Sequence, residues 1–303
     1  MQKRKDHNLI NLFRHENWNI GIASRPIASF IKDQSVNDIQ WLKKTSGESF
    51  IADPFGFWDK GLLHVYAEEF NYKENKGNIL RIVINGGWDI LNQDTALSMD
   101  THISYPYIIE DKGSFYCVPE MSVNNTVALY QIDVESGHMR EKAVLLTGRR
   151  LSDPTVIQFN GHWWLFGDSG DFNLCAWYSD DLFGPWVSHS KNPLKVDIAS
   201  ARPGGTPFVH EGDLYRPSQD CSKTYGGRVL LNKVKTLTPT EFSEETVSVI
   251  EPDPGSVYPA GIHTLTSVGD ITLVDGKRWT FIPQVFLGKI LRNLGNFEKK
   301  RER

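Results

Sequence analysis

The sequence has little cysteine, little excess charge and no long apolar run. Its three cysteines, Cys117, Cys175 and Cys221, are far apart and odd in number. That excludes a disulfide framework and a zinc-ligand spacing, and the three read as small buried hydrophobes. Lys and Arg number 33 against 37 Asp and Glu, a formal net charge of -4. A nucleic-acid binder needs a basic face to release counter-ions, so nucleic acid is not an expected partner. No apolar stretch reaches the roughly eighteen residues that suggest a membrane helix. The basic start MQKRKDHNLINLFRHENW is followed by no apolar segment or small-residue cleavage site, so it does not read as a secretory signal. A cytoplasmic chain is expected.

What the sequence does have is turns and flat side chains: 25 Gly, 15 Pro, 9 Trp, 10 Tyr and 16 Phe. Short strands suit that composition better than long helices. One pattern recurs along the chain. A polar residue opens an apolar strand, a tight turn with Gly follows, and an aromatic-rich second strand returns. The opening residues are Asp53, Tyr105, Asp153, Arg202 and His263, separated by 52, 48, 49 and 61 positions. In the first three copies the turn glycine (Gly61, Gly113, Gly161) lies 8 residues on. In the fourth, Gly212 lies 10 on, and in the weaker fifth we assign the turn to Asp275-Gly276, 13 on.

A period of about 50 residues made of strands and turns is a propeller signature. The predicted fold is all-β, a five-bladed β-propeller over 18–288. A short N-terminal extension (1–17) and a charged C-terminal tail (289–303) flank it. ILRIVI (79–84), VALYQIDV (127–134) and LCAWYSD (174–180) read as third strands. WNIGIAS (18–24) is expected to pair with the last blade and hide its open edge. A sandwich of regular hairpins is the competing architecture, but it gives no reason for a polar residue at the same place in every unit.

In a propeller the first strand of each blade lines the central channel, so all five opening residues should ring one mouth of it. Seven residues past each turn glycine stand Glu68, Glu120, Asp168 and Gln219, with Asp220 next to the last. These should form a second polar ring on the same face. Carboxylates crowded in a partly dry funnel raise one another's pKa values, which is how a site obtains an acid and a base together. Two carboxylates flanking a sugar are the usual equipment for breaking a glycosidic bond. Trp58, Tyr105, Trp163 and Tyr215 could offer flat surfaces to a sugar ring. One Asp before Pro often only caps a turn; two in register with three other polar openers favour a site.

At Ala52-Asp53-Pro54 and Ser152-Asp153-Pro154-Thr155-Val156 the chain resembles the five-bladed propeller glycoside hydrolases of the arabinanase, xylosidase and invertase superfamily. Over most of its length it more closely resembles the N-terminal domain of glucosamine inositolphosphorylceramide transferases and their bacterial relatives. The motifs are WNIGIA (18–23), FIADPFGF (50–57), YPYI (105–108), Pro119-Glu120, SDPTV (152–156), ARPGG (201–205), YRPSQDCSKTYGG (215–227) and GIHTL (261–265). The hydrolase resemblance implies Asp53 as base or nucleophile and Asp153 as the residue that orients substrate and tunes pKa. It also implies a channel cation near His263, with no cofactor otherwise required. It breaks at the fourth blade, where the hydrolases carry a general-acid Glu and this chain has Arg202.

We therefore expect a carbohydrate-active protein with Asp53, Asp153 and Glu120 as catalytic residues, Glu120 standing in as the acid. Glu68, Tyr105, Arg150, Asp168, Arg202, Arg216, Gln219, Asp220 and His263 are expected to bind substrate. Glu68 and Asp168 are further candidates for the acid. Arg150, Arg202 and Arg216 would suit an anionic or phosphorylated sugar through paired hydrogen bonds, although each is as readily explained by an ion pair with a neighbouring carboxylate. The expected partner is a glycan or glycoconjugate. A non-catalytic glycan-binding or scaffold module, working beside enzymes of glycan or glycolipid biosynthesis, is the second reading. A protein-interaction propeller fits a carboxylate-rich channel mouth poorly.

Overall fold

The computed structural model describes residues 14–43 and 48–283. The 289–303 tail and residues 1–13 of the N-terminal extension lie outside them. Almost all regular structure is strand. Among the described residues, the complete helical elements are two 3₁₀ segments, Ile27–Ile31 and Ser122–Asn124. No described helix is long and apolar enough to cross a membrane.

The strands form five antiparallel sheets. The chain enters through β1 (His15–Ala23) and β2 (Gln40–Trp41). Blade 1 follows as β3 (Ser49–Asp59), β4 (Leu62–Asn71), β5 (Lys76–Ile84) and β6 (Ile90–Leu97). Blade 2 is β7 (Ser104–Asp111), β8 (Ser114–Glu120), β9 (Thr126–Ile132) and β10 (Met139–Thr147). Blade 3 is β11 (Ser152–Phe159), β12 (His162–Asp168) and β13 (Asn173–Ser179), with the two-residue β14 (Val187–Ser188) and β15 (Lys195–Val196) both on β13. Blade 4 is β16 (Phe208–His210), β17 (Asp213–Asp220), β18 (Arg228–Leu237) and β19 (Phe242–Ile250). Blade 5 pairs β20 (Leu265–Val268) and β21 (Ile271–Thr280) with β1 and β2, in the order β20-β21-β1-β2. As expected, the N-terminal strand closes the last blade, with Trp18 opposite Lys277 and Ile22 opposite Leu273.

Four of the five predicted turns stand where the spacing put them. Lys60-Gly61, Lys112-Gly113, Asn160-Gly161 and Glu211-Gly212 each have both residues at positive φ, the type I′ geometry whose twist matches a right-twisted hairpin. The fifth assignment was wrong. The turn of blade 5 is at Gly269-Asp270, and Asp275-Gly276 lies in the middle of β21, paired with Ile20 and Asn19.

The core is divided among the five interfaces between blades. One apolar cluster joins blades 5 and 1 (Ile20, Leu63, Val65, Leu273) and another joins blades 2 and 3 (Tyr107, Leu129, Leu165, Trp177). The other three interfaces hold clusters of the same kind. Second strands are covered on both faces, so β4 reads LLHVYA with little alternation, whereas in the outer β6 only Ala96 is buried. Each large aliphatic or aromatic side chain buried this way contributes about 1.5–3 kcal/mol. Because each cluster needs two blades, the ring is one cooperative body.

Candidate functional site

The opening residues owe their aim to a repeated backbone defect. In blades 1, 2 and 3, two residues of the inner strand face one of the second strand: Asp53-Pro54, Tyr105-Pro106 and Asp153-Pro154. Such a bulge bends the strand and redirects a side chain. Asp53, Tyr105 and Asp153 all sit in the left-handed region, at φ 52°, 45° and 52°. The following proline disfavours the right-handed helical region for the residue before it. Asp tolerates a left-handed backbone, whereas for Tyr it is a strained conformation that its surroundings must hold. Tyr105 is held by its hydroxyl, which accepts from Gly205 N at 2.8 Å and lies 3.1 Å from Thr155 Oγ1. It is fully buried and plugs the channel beneath the site rather than lining it. Gly205, at φ 126°, allows the inner strands of blades 4 and 5 to touch. A Cβ there would stand 1.9 Å from the Leu265 carbonyl oxygen.

Above this plug lies a cavity of about 200 Å³, lined by Glu16, Trp18, Asp53, Glu68, Glu120, Asp153, Arg202, Tyr225 and His263 among others. Asp53, Glu68, Glu120, Asp153, Arg202 and His263 are thus brought together as predicted. The rest of the expected set is not. Gln219 acts from behind, its Nε2 donating to Asp153 Oδ2 at 2.8 Å and to the Pro203 carbonyl at 2.9 Å. Asp168 caps its own turn, accepting from Gly170 N and Asn173 N. Asp220 pairs with Arg228 at 2.7 Å. Arg216 is buried against Glu244, Nη2 to Oε1 at 2.6 Å. Arg150 is exposed and lines a separate surface cavity with Arg149 and Trp177. Of the aromatics proposed as sugar platforms, Trp58, Trp163 and Tyr215 do not line the cavity either. Trp18, Phe50, Phe70 and Tyr225 do.

Two carboxylates from second strands cap the bulged openers of the next blade. Glu120 Oε2 accepts from Asp153 N at 3.0 Å, and Oε1 from Ser152 Oγ at 3.3 Å. Asp275 does the same for blade 1: Oδ2 accepts from Asp53 N at 3.1 Å. Its Oδ1 accepts from His263 N at 2.9 Å and Thr264 N at 3.0 Å. Asp275 is the central residue that sequence reasoning missed. Counting seven from Gly269 lands on Gly276, one residue past it.

His263 lies between two carboxylates. Nδ1 is 2.6 Å from Asp275 Oδ2, an ion-pair distance without the alignment of a good hydrogen bond, and Nε2 is 3.3 Å from Asp53 Oδ1. Trp18 stacks against the imidazole at 4.1 Å between centroids. Burial works against charge on His263, but Asp275 and then Asp53 outweigh it and raise its pKa. The same pairing holds Asp275 low despite burial. Asp53, Asp275 and His263 offer donor atoms within 4.8 Å of one another, the place where the hydrolase resemblance implies a cation. The donor set does not fit one. Asp275 already accepts three backbone N–H groups and faces Nδ1, and both nitrogens of His263 face carboxylates. The pocket instead favours the charged form of His263 itself.

Asp53, Asp153 and Glu68 titrate upward. Burial raises Asp53, opposed by His263 and by the hydrogen bond from Thr264 Oγ1 at 2.9 Å. Burial lifts Asp153 to about 8 against the opposing pull of Arg202, whose Nε donates to Oδ2. Glu68 is pushed well above the carboxylate range, by burial first and then by Asp53, Glu120 and Asp153. Among the described residues its carboxyl makes no hydrogen bond, and its ion-pair contact is His102 Nε2 at 3.7 Å. Arg202 stays charged, stacked 5.3 Å from the Tyr225 ring centroid. The Tyr225 loop is tied down by the buried Lys277, whose Nζ donates to the Tyr225 carbonyl and to Thr224 Oγ1. At Gly226 a Cβ would stand 2.7 Å from Trp18 and 2.8 Å from His263.

This geometry meets its relatives in sequence comparison. The profile of the family described as "Glucosamine inositolphosphorylceramide transferase 1, N-terminal" matches residues 9–256. The chain belongs to that family. A glucosamine inositolphosphorylceramide transferase 1 from Oryza sativa subsp. japonica is 34% identical over 213 residues, 66% of this chain and 28% of the rice protein. The Arabidopsis thaliana protein of the same name is 31% identical over 212 residues, 66% of this chain and 27% of its own length. The chain therefore spans little more than a quarter of these transferases, and His263 and Asp275 lie beyond the family match. Among solved structures, the catalytic domain of a Coprinopsis cinerea α-L-arabinofuranosidase superposes with a TM-score of 0.54 at 12% identity, covering 77% of this chain and 93% of that one. The β-xylosidase RS223 gives 0.52 at 12% identity, covering 69% and 80%. At such identity these share the transferase-family domain's fold, a glycoside-hydrolase-like propeller, and no more.

Proposed function

We propose that this propeller cleaves a glycosidic bond in a glycan or glycoconjugate, with Asp53 as base and Glu68 as acid. The observation that carries the reading is the contrast between these two carboxyls in one cavity. Glu68 has no hydrogen bond to hold its charge and is pushed well toward the neutral form. Asp53 has Thr264 and His263 to hold its charge. An acid and a base separated in this way are what hydrolysis by inversion requires. Asp53 takes a proton from water, the water oxygen bonds to the anomeric carbon, the glycosidic C–O bond breaks, and Glu68 delivers its proton to the leaving oxygen. Glu120, the acid expected from sequence, is less suited, because both its oxygens already accept hydrogen bonds from Ser152 and Asp153.

The acid excess of the cavity favours a neutral or amino sugar over an anionic one. Its two strong cations, Arg202 and His263, already face Asp153 and Asp53. The relatives' name contains glucosamine, an amino sugar, whose ammonium group would be welcome among these carboxyls. A second reading, glycan binding without turnover in the service of glycolipid biosynthesis, is favoured by Arg202 at the place of the hydrolases' acid and by the relatives' naming as transferases.

The test is a panel of glycans, including glucosamine-containing ones, offered to wild type, Asp53→Asn and Glu68→Gln. Each substitution is expected to lower turnover by about 10²–10⁴-fold while binding persists. NMR of the first-formed anomer should report inversion. Binding by the wild type with no turnover on any glycan would remove the hydrolase reading and leave the second.

A further inference from the structure

His102 stands between β6 and β7, outside the repeating pattern, at the rim of the cavity. Its Nδ1 accepts a hydrogen bond from the backbone N–H of Gly77 at 2.8 Å. A nitrogen that accepts carries no proton, so the neutral ring must carry its hydrogen on Nε2. Nε2 faces Glu68 Oε1 at 3.7 Å. Burial holds this imidazole below its usual range, which favours the neutral form. The ring is packed edge-on against Phe70, 5.9 Å between centroids. Gly77 makes the arrangement possible: a Cβ there would stand 2.6 Å from Glu68 Oε1 and 2.9 Å from His102 Cε1.

We propose that His102 is a positioning residue for Glu68, selecting which of its oxygens holds the acidic proton. A neutral carboxyl has one oxygen that accepts and one that donates. An N–H aimed at Oε1 makes Oε1 the accepting oxygen, so the proton resides on Oε2, away from Gly77 and His102. The 3.7 Å separation is long for a hydrogen bond, as catalytic contacts often are before substrate closes the site. The inference rests on Glu68 being the acid, and it adds how that acid is aimed.

Two substitutions separate positioning from architecture. In His102→Asn the amide oxygen can replace Nδ1 and keep the Gly77 bond, while the donor toward Glu68 is lost. In His102→Gln the amide N–H can replace Nε2–H, while the Gly77 bond is lost. Positioning predicts that His102→Asn loses about tenfold in kcat, the worth of one hydrogen bond, with KM unchanged. His102→Gln should stay within about twofold of wild type. A purely structural role predicts the reverse order, and that result overturns the proposal. An infrared measurement needs no turnover. The protonated carboxyl band of Glu68, identified as the wild type minus Glu68→Gln difference, should move to higher frequency in His102→Asn and stay in His102→Gln. A band that ignores both substitutions also overturns the proposal. A band that responds as expected in a protein that turns over no glycan keeps the positioning role and removes the hydrolase.

Discussion

The two Asp-Pro openers, Asp53 in blade 1 and Asp153 in blade 3, begin as the same local object. Each sits in a bulge at φ 52°, and each has its N–H capped by a carboxylate from the preceding blade, Asp275 or Glu120. They differ in what meets the side chain. Asp153 is locked by Arg202 and Gln219. Asp53 meets a hydroxyl and an imidazole, Thr264 and His263. In one half the carboxyl is braced by a guanidinium and an amide; in the other it meets a hydroxyl and an imidazole. A repeated motif thus sets where a carboxyl stands, and the opening residue of a neighbouring blade sets what it does.

The comparison can be broken hardest at Arg202. Arg202→Met leaves Asp153 buried beside Glu120 without its cation, and a broken buried pair costs about 3–5 kcal/mol. Urea denaturation should register that loss, whereas His263→Gln should cost roughly 2 kcal/mol because the Gln amide can still donate to Asp53, while Met can donate nothing to Asp153. If the two cost the same, the braced and open halves are not different. The caps give a smaller contrast. Asp275→Asn disturbs three backbone N–H bonds and the imidazolium, and should cost about 2 kcal/mol. Glu120→Gln disturbs one backbone bond and one hydroxyl, and should cost about 1 kcal/mol.

The smallest effect has the opposite sign. The folded pKa of Glu68 lies above its unfolded value, so the folded state binds the extra proton. Stability from this group is fully present below the ordinary carboxylate range and is lost as pH rises through the folded pKa. Glu68→Gln removes that loss. The variant should exceed wild type on the alkaline side, read from urea midpoints across pH. Asp275 runs the other way: its folded pKa is depressed, so its contribution is present above the unfolded value and lost as pH falls through the folded one.

Much of this was legible in the chain. The register of openers and turn glycines carried the five blades, and the closing strand at WNIGIAS followed from the need to hide an edge. Six cavity residues came from the repeat alone. What was lost has three physical causes. The fifth unit holds two Gly-containing turn signals, Gly269-Asp270 and Asp275-Gly276, and choosing the stronger dipeptide hid Asp275 inside a supposed turn. Trp18, His102 and Tyr225 reach the cavity from segments outside the repeat, where no spacing announces them. The arginines show a third limit. Arg216 and Arg202 look alike in sequence, yet one is consumed by Glu244 in blade 4 and the other faces the cavity.

Trp18 carries one more consequence. It belongs to the first strand of the chain, yet it forms the wall behind His263, which belongs to the last blade. The cavity therefore cannot form until β1 has paired with β21, a pairing that spans His15 to Thr280. Contacts this distant in sequence are late and slow to form. A chain lacking either strand would hold Asp53 and Glu68 with no Trp18 wall or with no Asp275 beside His263.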